Sequence, residues 1–384
     1  MARYNFDTSI NRRETNSARW DVKENELPLN IADTDFMVMP EIEKAIKNRA
    51  AQSCYGYTYV PEKYYEAYIR WWRVRHNTKL EKEWFVFSKS VVASIDSIFK
   101  HVGKPKDKVV MFTPVYNVFF NCITNNQLVL QECDFIFEND DIKIDWDKLE
   151  KSIKDAKFFL LCNPHNPVGR KFSVDELNKI INLCKENNVY IISDEIHADL
   201  DYNKERYLSI LSPSIVRYEK TILLISPSKV FNVAGLHSSV AVIPEIKLKE
   251  EIQNGFYSDD IGEPNYFAID PIVTAFNEGD EYVNQLNAYL NENMAFLKEF
   301  LLKNLPNIKI IGSNYTYLVW LDISCYESDS NLFVKHLKER TGLVLAPGII
   351  YGKSGDGFVR LNIATPRKNL EDACIRLMKY ITEK

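Results

Sequence analysis

The chain has 384 residues, 46% hydrophobic and 26% charged, with a net charge of -5. That length suits two domains or one large one, and the composition is that of a globular protein able to bury a large core. The acidic balance, with no basic stripe, argues against nucleic acid as the main partner. No run approaches the ~18 apolar residues of a membrane span.

The amino end, "MARYNFDTSINRRE", lacks the apolar stretch of a secretory signal. Residues 1–40 are too short to fold alone and are expected to pack against the carboxy-terminal part. Further on, "KVVMF" (108–112), "KFFLLC" (157–162), "VYIIS" (189–193), "TILLIS" (221–226) and "SSVAVI" (238–243) are short apolar runs bounded by polar turns. Such runs predict strands covered on both faces. Helical patterns fall between several of them; Ser173 and Glu176 form a capping-box signature before one. This alternation predicts an α/β fold, a mostly parallel mixed sheet with helices on both faces. Ligands of such sheets bind beyond the carboxyl ends of the strands.

Gly, Pro and acids interrupt the pattern at 258–271. A long helix is then predicted from about 280 to 305, a strand at 317–323, a helix at 331–340, a strand at 357–363 and a last helix at about 368–382. The expected division is a large domain over 41–279 and a smaller α+β domain made of 1–40 and 280–384. Seven cysteines lie scattered with no CxxC, which suits reduced thiols in a cytoplasm. The six histidines show neither HxxxH nor HExxH, so no metal site is expected.

Three strand ends carry chemistry. "LLCNPHNPVGR" brings two Asn-Pro pairs, "IISDEIHADL" brings Asp194, Glu195 and His197, and "LLISPSK" brings two serines and Lys229. Taken singly, an Asn-Pro pair is usually a turn, a carboxylate at a helix start a cap, and a lysine after a strand a solvated loop residue. Together they place an amide, a carboxylate, an imidazole, hydroxyls and a lysine on one rim. A lysine able to form an imine, with an acid to keep a pyridine nitrogen protonated, is what pyridoxal phosphate requires.

On these motifs the chain resembles the fold-type I pyridoxal-phosphate enzymes, and within them the MalY/PatB-like C–S β-lyase branch of the class I/II aminotransferase family. "ADTDF", "YGYTYVPEKYYEA", "LCNPHNPVGR", "SDEIHADL", "PSKVFNVAGL" and "PGIIYGKSGDGFVRLN" carry the likeness, from about residue 5 to about 367. The resemblance implies that Lys229 holds the cofactor as an imine and moves the Cα proton. Asp194 would pair with the pyridine nitrogen, Asn166 and His197 with the phenolate oxygen, and Tyr116 would stack on the ring. Ser226, Ser228 and the main-chain amides of Val91 and Val92 would bind the phosphate. Tyr57 would reach the phosphate of a neighbouring subunit, which implies a homodimer with shared sites. Arg360 would clamp the substrate α-carboxylate, where a planar bidentate donor suits the geometry, with Asn166 and Asp33 also at the substrate.

The implied reaction is cleavage of L-cystathionine or cysteine- and cystine-type amino acids to a thiol or sulfide, pyruvate and ammonia. Transamination on the same cofactor is the alternative, as is an added regulatory contact with a transcription regulator. Many aminotransferases carry a phosphate-binding arginine eight residues after the lysine; here that position is His237, which favours the lyase. Ser90, Ala346, Tyr315 and Asn30 stand where Gly, Asn, Gly and Trp are common in the branch. They bear on substrate preference more than on reaction type.

Overall fold

A computed structural model describes residues 4–138, 141–202, 207–313 and 315–383. The chain first lays down a two-residue strand, β1 (Leu27–Pro28), then builds a large sheet. Its strands are β2 (Phe85–Ser88), β3 (Lys108–Thr113), β4 (Val129–Glu138), β5 (Asp141–Ile144), β6 (Ala156–Cys162), β7 (Tyr190–Asp194), β8 (Thr221–Ile225) and β9 (Ser239–Val242). They lie in the order β2-β9-β8-β7-β6-β3-β4-β5. The central strands from β8 across to β4 pair in parallel, whereas β9 runs antiparallel to both β8 and β2, and β5 antiparallel to β4. The sheet is thus mixed and mostly parallel, and the carboxyl ends of β6, β7 and β8 share one edge.

Alternation of side chains along each strand divides the apolar residues between the two faces. Val109, Met111, Phe158, Leu160, Ile192 and Leu224 pack with Ile95, Phe99, Phe119 and Ile252. Val110, Phe112, Phe159, Leu161, Ile191 and Leu223 belong to the larger core on the opposite face. The three expected strands β3, β6 and β7 are buried nearly throughout. Strand β4 was not expected, because its burial alternates with exposed positions and its sequence, VLQECDFIFE, is no continuous apolar run. Ser173 caps the helix Val174–Glu186 with the full reciprocal capping box.

A second sheet takes its strands from the carboxy-terminal part: β10 (Lys309–Ile311), β11 (Leu318–Asp322), β12 (Leu343–Val344), β13 (Ala346–Pro347) and β14 (Phe358–Asn362). Its order is β10-β11-β14-β13, all antiparallel, while β12 pairs in parallel with β1. The helices Asp280–Asn304, Ser330–Thr341 and Arg367–Thr382 fall where periodicity put them. The amino-terminal arm packs here as expected: Tyr4 meets Tyr282, and Phe6 meets Phe36 and Tyr289. No helix among the described residues is long and apolar enough to cross a membrane.

Residues 30–34 form an irregular strap between the two sheets, and each of its main-chain carbonyls has a donor. Arg360 Nη2 donates to Asn30 O (2.6 Å) and Asn362 Nδ2 to both Ile31 O and Asp33 O (2.7 Å each). Lys229 Nζ and Tyr317 OH donate to Ala32 O at 2.9 and 3.1 Å. Arg12 Nη1 and Asn232 Nδ2 donate to Thr34 O at 3.0 and 3.1 Å. Irregular backbone tolerates burial only when its carbonyls are satisfied in this way. Arg19, fully buried, braces the strap: it donates to Pro28 O and Asp33 O (2.9 Å each) and pairs with the carboxylates of Asp33 (3.2 Å) and Asp35 (2.9 Å).

Replacing Arg19 by Met removes these bonds and leaves two carboxylates short of a cation. We expect Arg19→Met to destabilise the protein by about 3–5 kcal/mol. The loss should be read as a lower urea midpoint at unchanged m-value; a midpoint equal to wild type would reject the bracing role.

Candidate active site

The carboxyl ends of β6, β7 and β8 open on a cavity of about 160 Å³. In register, Cys162 lies beside Asp194 and Asp194 beside Leu224, so residues that end or follow these strands meet. Asp194 is buried, and its Oδ1 accepts a hydrogen bond from the Ile196 amide at 3.1 Å. Burial raises its pKa to about 6; the Ile196 amide and the charge of Lys229 oppose the rise. Glu195 turns away from the rim, its Oε1 accepting from Ser193 Oγ and from the Ile210 amide, each at 2.9 Å.

Lys229 follows β8 through the turn 226–229, and its side chain reaches the cavity and the strap carbonyl of Ala32. Burial, and then the Arg360 guanidinium, lower its proton affinity, while Asp33 and Asp194 raise it. The net effect makes the neutral amine more accessible, which a nucleophilic or basic lysine needs. His197 lines the same cavity and is buried. Burial, Lys229 and Arg360 hold it neutral, with a pKa well below the usual imidazole value, and its Nδ1 has no hydrogen-bond partner among the described residues.

Asn166 comes from the turn after β6. Gly169 shapes that turn at φ +62, where an added Cβ would lie 2.6 Å from the Ser313 Cα, so only glycine fits. Arg360 Nη1 donates to Asn166 Oδ1 at 3.0 Å, and Asn166 lines the cavity. Arg360 is buried on β14 with its guanidinium over the Tyr351 ring (4.9 Å), and it stands behind Asn166 rather than in the cavity wall. The alternative of a surface ion pair for Arg360 is excluded by this burial. Tyr116 forms part of the wall and touches Phe119 edge-on, with centroids 5.5 Å apart.

At the far end, Val91 and Val92 begin a helix that runs to Val102, and both line the cavity. Ser90 is the cap, its Oγ accepting from the Ala93 amide at 3.1 Å; its extended backbone (φ -163) has no need of glycine. Ser226 and Ser228 lie opposite. Here the hydrogen bonds refine the expectation. Ser226 donates its hydroxyl proton to Ser238 O (2.8 Å) and accepts from the Ser228 amide (3.2 Å). It must therefore turn its proton to donate to a phosphate, whereas no such bond ties the Ser228 hydroxyl among the described residues.

Two expected site residues lie elsewhere. Asp33 gives its carboxylate to Arg12 (2.6 Å) and Arg19 (3.2 Å) and does not line the cavity. From there its charge raises the proton affinity of Lys229, and its carboxylate anchors the strap. Tyr57 is wholly exposed and lines a separate shallow pocket with Lys89 and His237. The part that Ala32, Asn232, Asn362 and Tyr317 take in the strap around Lys229 was missed: the first three lie within the quoted motifs, but nothing local shows which carbonyl each side chain reaches. Among the described residues no cluster of His, Cys, Asp or Glu could hold a metal ion.

These residues fit pyridoxal phosphate. A buried carboxylate and a half-buried amine line one cavity with an aromatic wall. An unpartnered imidazole nitrogen, an asparagine amide and a helix start with hydroxyls line it too. The profile of the family "Aminotransferase class I and II" matches residues 24–377, and the chain belongs to that family. It is similar to cystathionine beta-lyase PatB of Bacillus subtilis strain 168, with 33% identity over 97% of this chain and 98% of that one. A PLP-bound, provisionally described aminotransferase from Clostridium difficile 630 superposes with a TM-score of 0.95 at 34% identity, covering 98% and 100% of the two chains. Cystalysin from Treponema denticola, which contains pyridoxal 5'-phosphate, superposes at 0.93 with 29% identity over 99% of each.

Asp194 bears a stability cost that serves its charge. Its raised pKa means that ionisation is disfavoured in the folded state, so stability from this group is present below about pH 4 and is lost as pH rises through 6. In the cofactor-free protein, Asp194→Asn should therefore raise stability at pH 7.5 by on the order of 1–3 kcal/mol. The gain should shrink as the pH is lowered to 5; urea midpoints that show no such pH dependence would count against the assignment.

Proposed function

We infer that this chain is a pyridoxal-phosphate-dependent carbon–sulfur β-lyase acting on small sulfur amino acids such as L-cystathionine or L-cysteine. The observation that supports it most is the pairing of Lys229, a half-buried amine of lowered proton affinity, with the buried Asp194 carboxylate at the ends of adjacent strands. The likeness to PatB, a cystathionine beta-lyase, supports lyase chemistry over transamination. So does the position of His237, which lies in the shallow outer pocket rather than in the cavity wall.

The cofactor, when bound, supplies a conjugated ring that accepts the electron pair left on the substrate Cα. The chain's own groups do the rest. Asp194 holds a negative charge where a protonated ring nitrogen gains from it, and the cost of burying that charge falls when the cation arrives. Asn166 Nδ2 and His197 hold the ring oxygen, and Tyr116 stacks on the ring. The Val91 and Val92 amides and the Ser226 and Ser228 hydroxyls hold the phosphate. Arg360, already oriented by Asn166 and by Asn30 O, receives the α-carboxylate. Lys229 Nζ would leave the Ala32 carbonyl and take the Cα proton, and the sulfur would depart from Cβ as a thiolate with the C–S electron pair, taking that proton from Lys229 to become the thiol. The released aminoacrylate hydrolyses to pyruvate and ammonia.

The wholly exposed Tyr57, with Tyr55 and Tyr59 also exposed beside it, supports a homodimer in which Tyr57 reaches the partner's phosphate. The free cysteines, five of the seven buried, support a reducing, cytoplasmic setting.

The purified protein should release pyruvate from L-cystathionine or L-cysteine with no keto acid present. Turnover that requires a keto acid would assign the site to transamination instead. Lys229→Ala should abolish both turnover and the visible absorbance of the bound cofactor; retention of either would overturn the role of the lysine. Arg360→Ala should raise KM by tenfold or more, the order of a lost charged hydrogen bond, and an unchanged KM would reject the carboxylate clamp.

A further inference from the structure

The phosphate end of the cavity is rich in amides and hydroxyls and poor in charge. Among the described residues, Lys89 and Lys229 are the only lysines in the cavity wall, which holds no arginine, and the Lys229 ammonium is engaged by the Ala32 carbonyl. A phosphate monoester carries a charge of about -1.5 to -2 at neutral pH, against roughly half a positive charge from a helix N-terminus. Hydroxyls add donors but no charge.

Lys89 stands at the right place. It directly precedes the cap Ser90, lines the cavity, and also lines the outer pocket with Tyr57 and His237. Its Nζ donates to the main-chain carbonyl of Asp260, and the Asp260 carboxylate lies 3.6 Å away with a side chain 86% exposed. Such an exposed counter-ion binds weakly. An ammonium has three donors, so one bond to a carbonyl leaves two free.

We propose that Lys89 is the cationic ligand of the cofactor phosphate, donating to it beside the Val91 and Val92 amides while keeping the Asp260 carbonyl. The assignment rests on the pyridoxal-phosphate reading above. It makes the segment 259–261 part of the phosphate site, because Lys89 ties that segment to the helix start through its ammonium and through its amide, which donates to Ile261 O at 3.1 Å.

The test compares two ligands on the cofactor-free protein, pyridoxal phosphate and pyridoxal, titrated by absorbance. In Lys89→Met the dissociation constant for pyridoxal phosphate should rise about tenfold or more, while that for pyridoxal stays at the wild-type value. Lys89→Arg should restore most of the difference. Unchanged pyridoxal-phosphate affinity in Lys89→Met, or an equal loss for both ligands, would overturn the proposal. Wild-type protein that binds neither ligand, or binds them equally after Lys229→Ala, would overturn the cofactor reading itself and this assignment with it.

Discussion

The site depends on the strap at residues 30–34. This irregular, mostly half-buried segment lies between two sheets and outside either ladder, so its carbonyls take their donors from side chains. The donors include Arg360 and Asn362 from β14, Tyr317 beside β11, and Lys229 and Asn232 from the turn after β8. One segment therefore aligns the groups proposed as carboxylate clamp and base, which come from different sheets. The ion cluster of Arg12, Arg19, Asp33 and Asp35 holds the strap from its other side.

Burial then sets every charge in the site. It raises Asp194, lowers Lys229 and keeps His197 neutral, and desolvation is the foremost cause of each shift. These shifts are costs to the empty protein. They are matched to a ligand that brings a cation to Asp194, a carbonyl to Lys229 and an anion to the helix start. The charge at Arg360 has a double effect, since it lowers the proton affinity of Lys229 while awaiting a carboxylate.

Much of the fold was legible because local rules agreed with the tertiary result. Continuous apolar runs marked β3, β6, β7 and β8, and helical spacing marked Asp280–Asn304 and Arg367–Thr382. Strand β4 escaped because its alternating burial hides it, and the antiparallel direction of β9 escaped because a strand's direction leaves no trace in its own composition. At the site, Lys229, Asp194, Asn166, His197 and Tyr116 do meet in one cavity. The pairing of Asp33 with Arg12 and Arg19 was not foreseen, because a carboxylate in a motif says nothing of which arginine it faces.

What the sequence determined by itself is the order of elements, the chemical groups at the strand ends and the family they belong to. These follow from patterns a few residues long: apolar periodicity, a capping box, a lysine after a strand. The tertiary structure alone decided that Arg360 donates to Asn166, that Ser226 spends its proton on Ser238, and that Lys229 rests on Ala32. The bonds of Arg360 to Asn30 and of Lys229 to Ala32 span 330 and 197 residues. Hydrogen bonds of such separation depend on how whole sheets pack, and no local stretch of sequence encodes that.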